Sequence, residues 1–166
     1  KALAQIELSF EFNPTRGASD IILNGENVES KIRELAVASR VSEVAAIPLV
    51  RQFAVQQQQR LGKNKGIVMD GRDIGTVVFP EAELKIFMTA SKEIRVKRRF
   101  QELVQKDAAI TIDEVRENLE QRDHMDSNRK ESPLRQAKYA RVLDNTNLTE
   151  QQQFELALGW AKDTIA

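Results

Sequence analysis

The chain has no cysteine, a single histidine and no long apolar run. Without cysteine there is no disulfide, no thiolate metal site and no cysteine nucleophile, which fits a reducing, cytoplasmic compartment. One histidine, His124, excludes multi-histidine metal sites. No apolar segment reaches the roughly 18 residues that a membrane span needs, and no secretory signal is visible. An excess of charge of one sign is missing too: 25 basic and 25 acidic residues leave a formal net charge of +0. There is no global field to hold a nucleic-acid backbone, so neither nucleic acid nor membrane is expected as a partner. Nor is there a GxxxxGK[ST] sequence, the loop that ordinarily cradles a nucleoside triphosphate. What remains is 166 residues, 41% hydrophobic and 30% charged: one globular domain, or one domain with a small insertion. The chain starts at Lys1, almost directly on a strand, and we expect a piece of a longer protein.

The first residues read as antiparallel sheet. Ile6 to Phe12 alternates apolar and polar, the pattern of a half-buried strand. Asn13-Pro14-Thr15-Arg16-Gly17 is a turn cluster. Asp20 to Asn24 is a second strand, and Asn24-Gly25 is a hairpin signal leading to a short third one. Helical periodicity takes over near Val28, with Ile32, Leu35, Ala36 and Ser39 on one face. Ser42 reads as the N-cap of a short turn, and Pro48 suits the first turn of a helix that ends at Gly62. That helix is expected to turn Val50, Phe53, Ala54 and Leu61 inward and Gln56 to Arg60 outward.

The centre of the chain is GIVMDGRDIGTVVFP, Gly66 to Pro80. Gly66 to Met69 reads as a buried strand of a parallel sheet, where both faces are covered and alternation disappears. Asp70-Gly71-Arg72-Asp73 follows at once. Ligands in open α/β sheets bind just beyond the carboxyl ends of strands, and Gly71 and Gly75 let the backbone turn there. An ordinary surface turn is the other reading of the same residues. Ala82 to Met88 is a second buried strand, and Ser91 caps a helix to about Gln105. Thr111-Ile112-Asp113-Glu114 is a capping box for a helix to about Arg122–Asp126. Ser132-Pro133 breaks the chain, Ala140 to Asp144 is a third strand, and Thr149 to Gln152 is a second capping box. The last helix carries Phe154, Ala157, Leu158, Ala161 and Ile165 as one stripe. Strands alternating with helices imply α/β with a parallel sheet.

Arg122, Asp126 and Arg129 are spaced i, i+4, i+7 and share a helix face. Two guanidiniums around a carboxylate suit a ligand bearing phosphate and hydroxyl groups, because arginine forks onto phosphate and aspartate accepts from hydroxyls. An exposed ion pair is the bland alternative. Ser42 and Arg51 bracket the Pro48 segment, where they would meet across a turn to read a base edge; Ser42 as a plain cap is the alternative. Arg95, Lys97, Arg98 and Arg99 form a basic cluster that either neutralises phosphates or is a solvated helix face. His124 is expected to be exposed, and Trp160 and Tyr139 to pack.

These residues resemble bacterial cytidylate (CMP/dCMP) kinases. GIVMDGRDIGTVVFPEAELKIFMTAS, then QRDHMDSNRKESPL, VSEVAAIPLVR and VLDNTNLT are similar to that family, over nearly the whole chain from Ile6 to Ala166. The resemblance implies a P-loop nucleoside-monophosphate-kinase-like fold: a five-stranded parallel sheet, a mobile lid around residues 107–135, and an antiparallel β plus helical CMP-binding insert at residues 1–62 on a core at 63–166. It implies transfer of the γ-phosphoryl of ATP to CMP or dCMP with Mg²⁺. By position, Ser42, Arg51 and Asp73 resemble the cytosine-recognition group, Arg72 and Arg129 the phosphate-binding arginines, and Arg122 and Asp126 the ribose-binding pair. Asp70 is similar to the carboxylate that holds the waters of Mg²⁺. In this reading Asp70, Arg72 and Arg129 serve catalysis. The family's first strand and P-loop have no counterpart in these residues, so the 166-residue polypeptide is expected to show little kinase activity alone and to self-associate through open sheet edges, while a full-length parent is expected to be an active monomer. A non-catalytic pyrimidine-nucleotide-binding module and a scaffold without a nucleotide site stay open as rival readings.

Overall fold

A computed structural model describes residues 2–33, 37, 40–45, 47–105, 109–128 and 132–165. They divide into two compact units, Lys1–Ile67 and Val68–Ala166.

In the first unit, strands β1 (Leu8–Asn13), β2 (Ala18–Leu23) and β3 (Glu26–Asn27) form an antiparallel sheet in that order. Asn24 and Gly25 both take positive φ, 50° and 82°, which a two-residue hairpin turn requires. The Asn24 side-chain oxygen accepts from the Glu7 N–H at 2.8 Å, closing the hairpin. The apolar residues of β1 do not make it half-buried: Phe10 and Phe12 are 51% and 69% exposed. The register explains this. Asp20 and Ile22 are the buried residues of β2 and pair with Glu11 and Ser9. Directly paired residues share a face of the sheet, so the aromatic residues of β1 lie on the other one.

Asp20 is buried because its charge is answered. It accepts from Asn13 Nδ2 at 2.9 Å and Asn27 Nδ2 at 3.0 Å, and Arg16 Nε stands 3.3 Å from its other oxygen. Those hydrogen bonds, from Asn13 first and Asn27 next, hold its carboxyl below the usual range.

Helices α1 (Val41–Ala45) and α2 (Pro48–Leu61) follow. Ser42 lies inside α1 rather than capping it. Pro48 opens α2, where its missing N–H costs nothing. The Gly62 N–H donates to the Gln58 carbonyl at its end, 3.2 Å away. Val50, Phe53 and Leu61 are half-buried, but Ala54 is exposed. Lys31–Arg33 forms a 3₁₀ turn and Val37 is helical; Leu35, Ala36 and Ser39, on which the expected helix also rests, lie outside the described residues.

The expected strand at Gly66–Met69 does not form. Val68 is fully exposed, and none of the described residues pairs with this segment. A strand exists through its ladder partners, so an apolar run without them stays irregular.

In the second unit β4 (Ile86–Thr89) pairs in parallel with β5 (Arg141–Asp144), Ile86 opposite Arg141 and Thr89 opposite Asp144. β4 is the last part of the longer strand expected from Ala82. Helices α3 (Lys92–Val104) and α4 (Ile112–Asn128) lie in the crossover, and α5 (Glu150–Ile165) follows β5. All three start as their sequences require. The Ser91 hydroxyl accepts from the Ile94 N–H at 3.4 Å. In both capping boxes the hydroxyl accepts from the third helical N–H while that residue's side chain reaches back, from Glu114 to Thr111 at 2.8 Å and from Gln152 to Thr149 at 2.9 Å.

Val78, Val96, Val115 and Leu143 are the most buried residues of this unit. The stripe expected on α5 is only partly covered: Ala157 and Ala161 are half-buried beside Gln153, Trp160 and Thr164, while Phe154, Leu158 and Ile165 are exposed. Polar contacts on that side set the rotation. Asn145 Nδ2 donates to Gln153 Oε1 at 2.7 Å, and the Arg141 guanidinium lies 5.6 Å from the Trp160 ring centre. Tyr139 does not pack; it is exposed, with the Lys138 ammonium 4.8 Å from its ring centre. Among the described residues no helix is long and apolar enough to cross a membrane.

Ion pairs join α3 to α4. Arg95 grips Asp123 with both ends of its fork, at 2.7 and 2.8 Å, and Lys92 pairs with Glu120. The Arg95 hydrogen bonds hold the Asp123 carboxyl below its ordinary value, with smaller help from the charges of Arg72 and Arg122 and against the cost of burial.

Leu143→Ala should destabilise the fold by about 2–5 kcal/mol, and Val142→Ala, on the exposed side of the same strand, by less than about 1 kcal/mol. Denaturant unfolding checks this, and equal losses would disprove a core at Leu143. A depressed carboxyl adds stability that is fully present above its unfolded value, about 3.9, and lost as pH falls through the lower folded value. The deficit of Asp123→Asn against the parent chain should therefore shrink between pH 5 and the acid range, modestly because the pair is partly exposed. A deficit that grows on acidification would refute the assignment.

Candidate acceptor-nucleotide site

The loop after Met69 sets its charges by backbone geometry. Gly71 carries no Cβ because one would stand 3.0 Å from Ile74 Cγ1. Residues Ile74–Val78 form a single π turn, a form frequent at functional sites. The Asp73 carbonyl accepts from Val77 N at 2.8 Å and from Thr76 and Val78 N at 3.3 Å. With its carbonyl so held, Asp73 is buried, at 8% exposure. Asp70 and Arg72 on the same loop are exposed.

Arg72 reaches across to α4. Its Nε donates to Asp126 Oδ2 at 2.8 Å, and Arg122 Nε stands 4.0 Å from the same oxygen. The Asp126 side chain keeps only 18% of its exposure, whereas those of Arg72 and Arg122 keep 43% and 56%. The carboxylate is therefore seated and the guanidiniums around it stay open to solvent. Such an arrangement can accept from hydroxyls and donate to anions at one place. The Leu134 N–H donates to the Asp126 carbonyl at 2.7 Å, so the chain after α4 folds back on the same residue.

The structure thus brings together Arg72, Arg122 and Asp126 of the residues singled out in the sequence. Asp70 and Asp73 share their loop. Arg129 lies outside the described residues. Ser42 and Arg51 belong to the first unit, on α1 and α2; Arg51 is half-buried.

The basic cluster of α3 is engaged by the protein itself. Arg95 holds Asp123, Arg99 pairs with Glu102 at 2.7 Å, and Arg98 donates to Asn145 Oδ1 and O at 2.9 and 2.8 Å. Lys97, Arg98 and Arg99 are exposed, as expected of a solvated face, and Arg95 is half-buried. His124 is exposed as expected. Sequence reading missed Asp123, and no local signal marks it, since its partner is 28 residues away on another helix.

Among the described residues no group of three or more acids or histidines is assembled for a metal ion. Asp70 is a lone exposed carboxylate. Magnesium is commonly held by one or two carboxylates together with substrate phosphates. Among the described residues, open clefts of about 500 and 530 Å³ lie elsewhere; Arg99 of the α3 cluster lines the first, and none of Arg51, Asp70, Arg72, Asp73, Arg122 and Asp126 lines either.

The sequence pattern of the family described as "Cytidylate kinase" matches residues 1–163. A cytidylate kinase of Flavobacterium psychrophilum is 52% identical over 158 residues, 95% of this chain and 70% of the relative. One from Bacteroides thetaiotaomicron is 54% identical over 155 residues, 93% of this chain and 68% of the relative. One from Flavobacterium johnsoniae is 50% identical over 165 residues, 99% and 72% of the two chains. Agreement of this extent, running through the loop and the helix that meet at Asp126, makes the chain a member of the cytidylate kinase family of phosphotransferases.

Proposed function

We propose that this protein binds CMP or dCMP as the acceptor in phosphoryl transfer from ATP, giving CDP or dCDP, and does so in the cytoplasm. The observation that carries the reading is Arg72 on Asp126 at 2.8 Å, with Arg122 beside the same carboxylate. In this reading Asp126 and Arg122 hold the ribose, and Arg72 and Arg129 neutralise the phosphate oxygens. Ser42, Arg51 and Asp73 read the base. A carboxylate accepts from the exocyclic amine of cytosine and faces a carbonyl oxygen in uracil, so Asp73 is the group that would favour CMP over UMP. Mg²⁺, arriving with ATP, would supply charge neutralisation, and Asp70 would hold its waters.

The transfer breaks the bond between the β–γ bridging oxygen and the γ-phosphorus and forms one from a CMP phosphate oxygen, leaving ADP. Little covalent help is needed from the protein; alignment and neutralisation of equatorial charge do most of the work. Arg72, Arg129 and Asp70 are the groups suited to that task.

Calorimetry with CMP tests the acceptor site directly. Asp126→Ala should weaken CMP binding on the order of tenfold or more, with the unfolding midpoint within a few degrees of the parent. CMP affinity indifferent to this change in a folded sample would overturn the reading. Asp73→Asn should shrink the preference for CMP over UMP by about tenfold; an unchanged preference removes Asp73 from base recognition. The 166 residues hold no GxxxxGK[ST] loop, so binding without appreciable turnover is the expected pair of results for this chain, read by calorimetry beside an ADP-release assay.

A further inference from the structure

Three charged residues of α4 crowd one stretch of its surface: Arg122, Asp123 and Asp126. Asp126 is three residues from Asp123 and four from Arg122, the spacings at which helical side chains meet. Two carboxylates are therefore available to the guanidiniums of Arg72 and Arg122. The structure gives each a different partner. Arg72 Nε is on Asp126 at 2.8 Å, and both Asp123 oxygens are taken by Arg95, at 2.7 and 2.8 Å. A bidentate fork occupies both oxygens of the carboxylate it grips.

We propose that Arg95 is a positioning residue for the acceptor site: by occupying Asp123 it keeps that carboxylate from competing with Asp126 and with the incoming phosphate for Arg72 and Arg122. The proposal rests on the reading of Arg72, Arg122 and Asp126 given above. Asp123 senses both of these arginines already, since their charges help to depress its carboxyl. With Arg95 removed, Asp123 loses both of the hydrogen bonds that the guanidinium makes to it. It sits next to Arg122 in the chain and within one helical turn of the carboxylate that Arg72 uses. A guanidinium drawn onto an internal carboxylate is lost to a phosphate, and a bare negative charge repels one.

A bland reading treats Arg95–Asp123 as a clamp of α3 on α4, like Lys92–Glu120. The two readings predict opposite effects of neutralising Asp123. Calorimetric CMP titrations of the 166-residue chain separate them. Arg95→Met should weaken CMP binding on the order of tenfold. Asp123→Asn should bind no more weakly than the parent, and Asp123→Asn in the Arg95→Met background should restore affinity to within about twofold. Lys92→Met, which cuts the other bridge between the helices, should leave affinity unchanged. A double variant as weak as Arg95→Met, or Arg95→Met at parental affinity, overturns the proposal. Should Arg95→Met fail to fold, Arg95→Lys replaces it. A lysine keeps one contact but not the fork, so affinity falls severalfold and Asp123→Asn restores it; no restoration overturns the proposal. If Asp126→Ala weakens CMP binding and Arg95→Met does not, this inference alone falls. If CMP binding ignores Asp126 as well, the acceptor-site reading falls with it.

Discussion

Arg72 Nε and Asp126 Oδ2 stand 2.8 Å apart across 54 positions of chain. One end of this hydrogen bond is a loop that leads into a π turn; the other is a 17-residue helix. Its donor is charged and so is its acceptor, which makes it stronger than a neutral pair, and the acceptor is mostly shielded from water. The ribose and phosphate roles proposed for the acceptor site use this junction. Without it the loop arginine and the helical carboxylate would each be an ordinary surface charge.

A chain with no net charge can still bind a nucleotide, because binding is decided locally. Arg72, Arg95 and Arg122 gather against Asp123 and Asp126 in one place. The carboxylates do two jobs there. They keep the guanidiniums from repelling one another, and they aim them. A similar economy holds in the first unit, where Arg16 spans the buried acids Asp20 and Glu29 at 3.3 Å each. In that case the partners are mostly enclosed, and the cluster serves the hairpin.

Local chemistry was legible in the residues; burial was not. Ser91, Thr111 and Thr149 start their helices where the capping patterns put them, because each uses atoms within three residues. Asn24-Gly25 turns the hairpin for the same reason. The pairing of Arg122 with Asp126 followed from helical spacing, while the arrival of Arg72 rested on likeness to a family. Burial failed wherever a third element decides it. Phe10, Phe12, Phe154 and Tyr139 are exposed although each looks like core, since apolar pattern states which residues share a face and not which face is covered. Gly66–Met69 has the composition of a buried strand and no ladder partner among the described residues. Asp123 was overlooked because an isolated carboxylate in an acidic, basic-rich helix gives no sign of a partner on α3.

The central claim is that Arg72 and Asp126 act on the acceptor nucleotide as one unit. A double-mutant cycle on CMP affinity, using Arg72→Met, Asp126→Asn and both together, measures this most directly. Coupled residues predict that the double variant loses less affinity than the product of the single losses, by on the order of fivefold. Single losses that multiply without remainder would contradict the account.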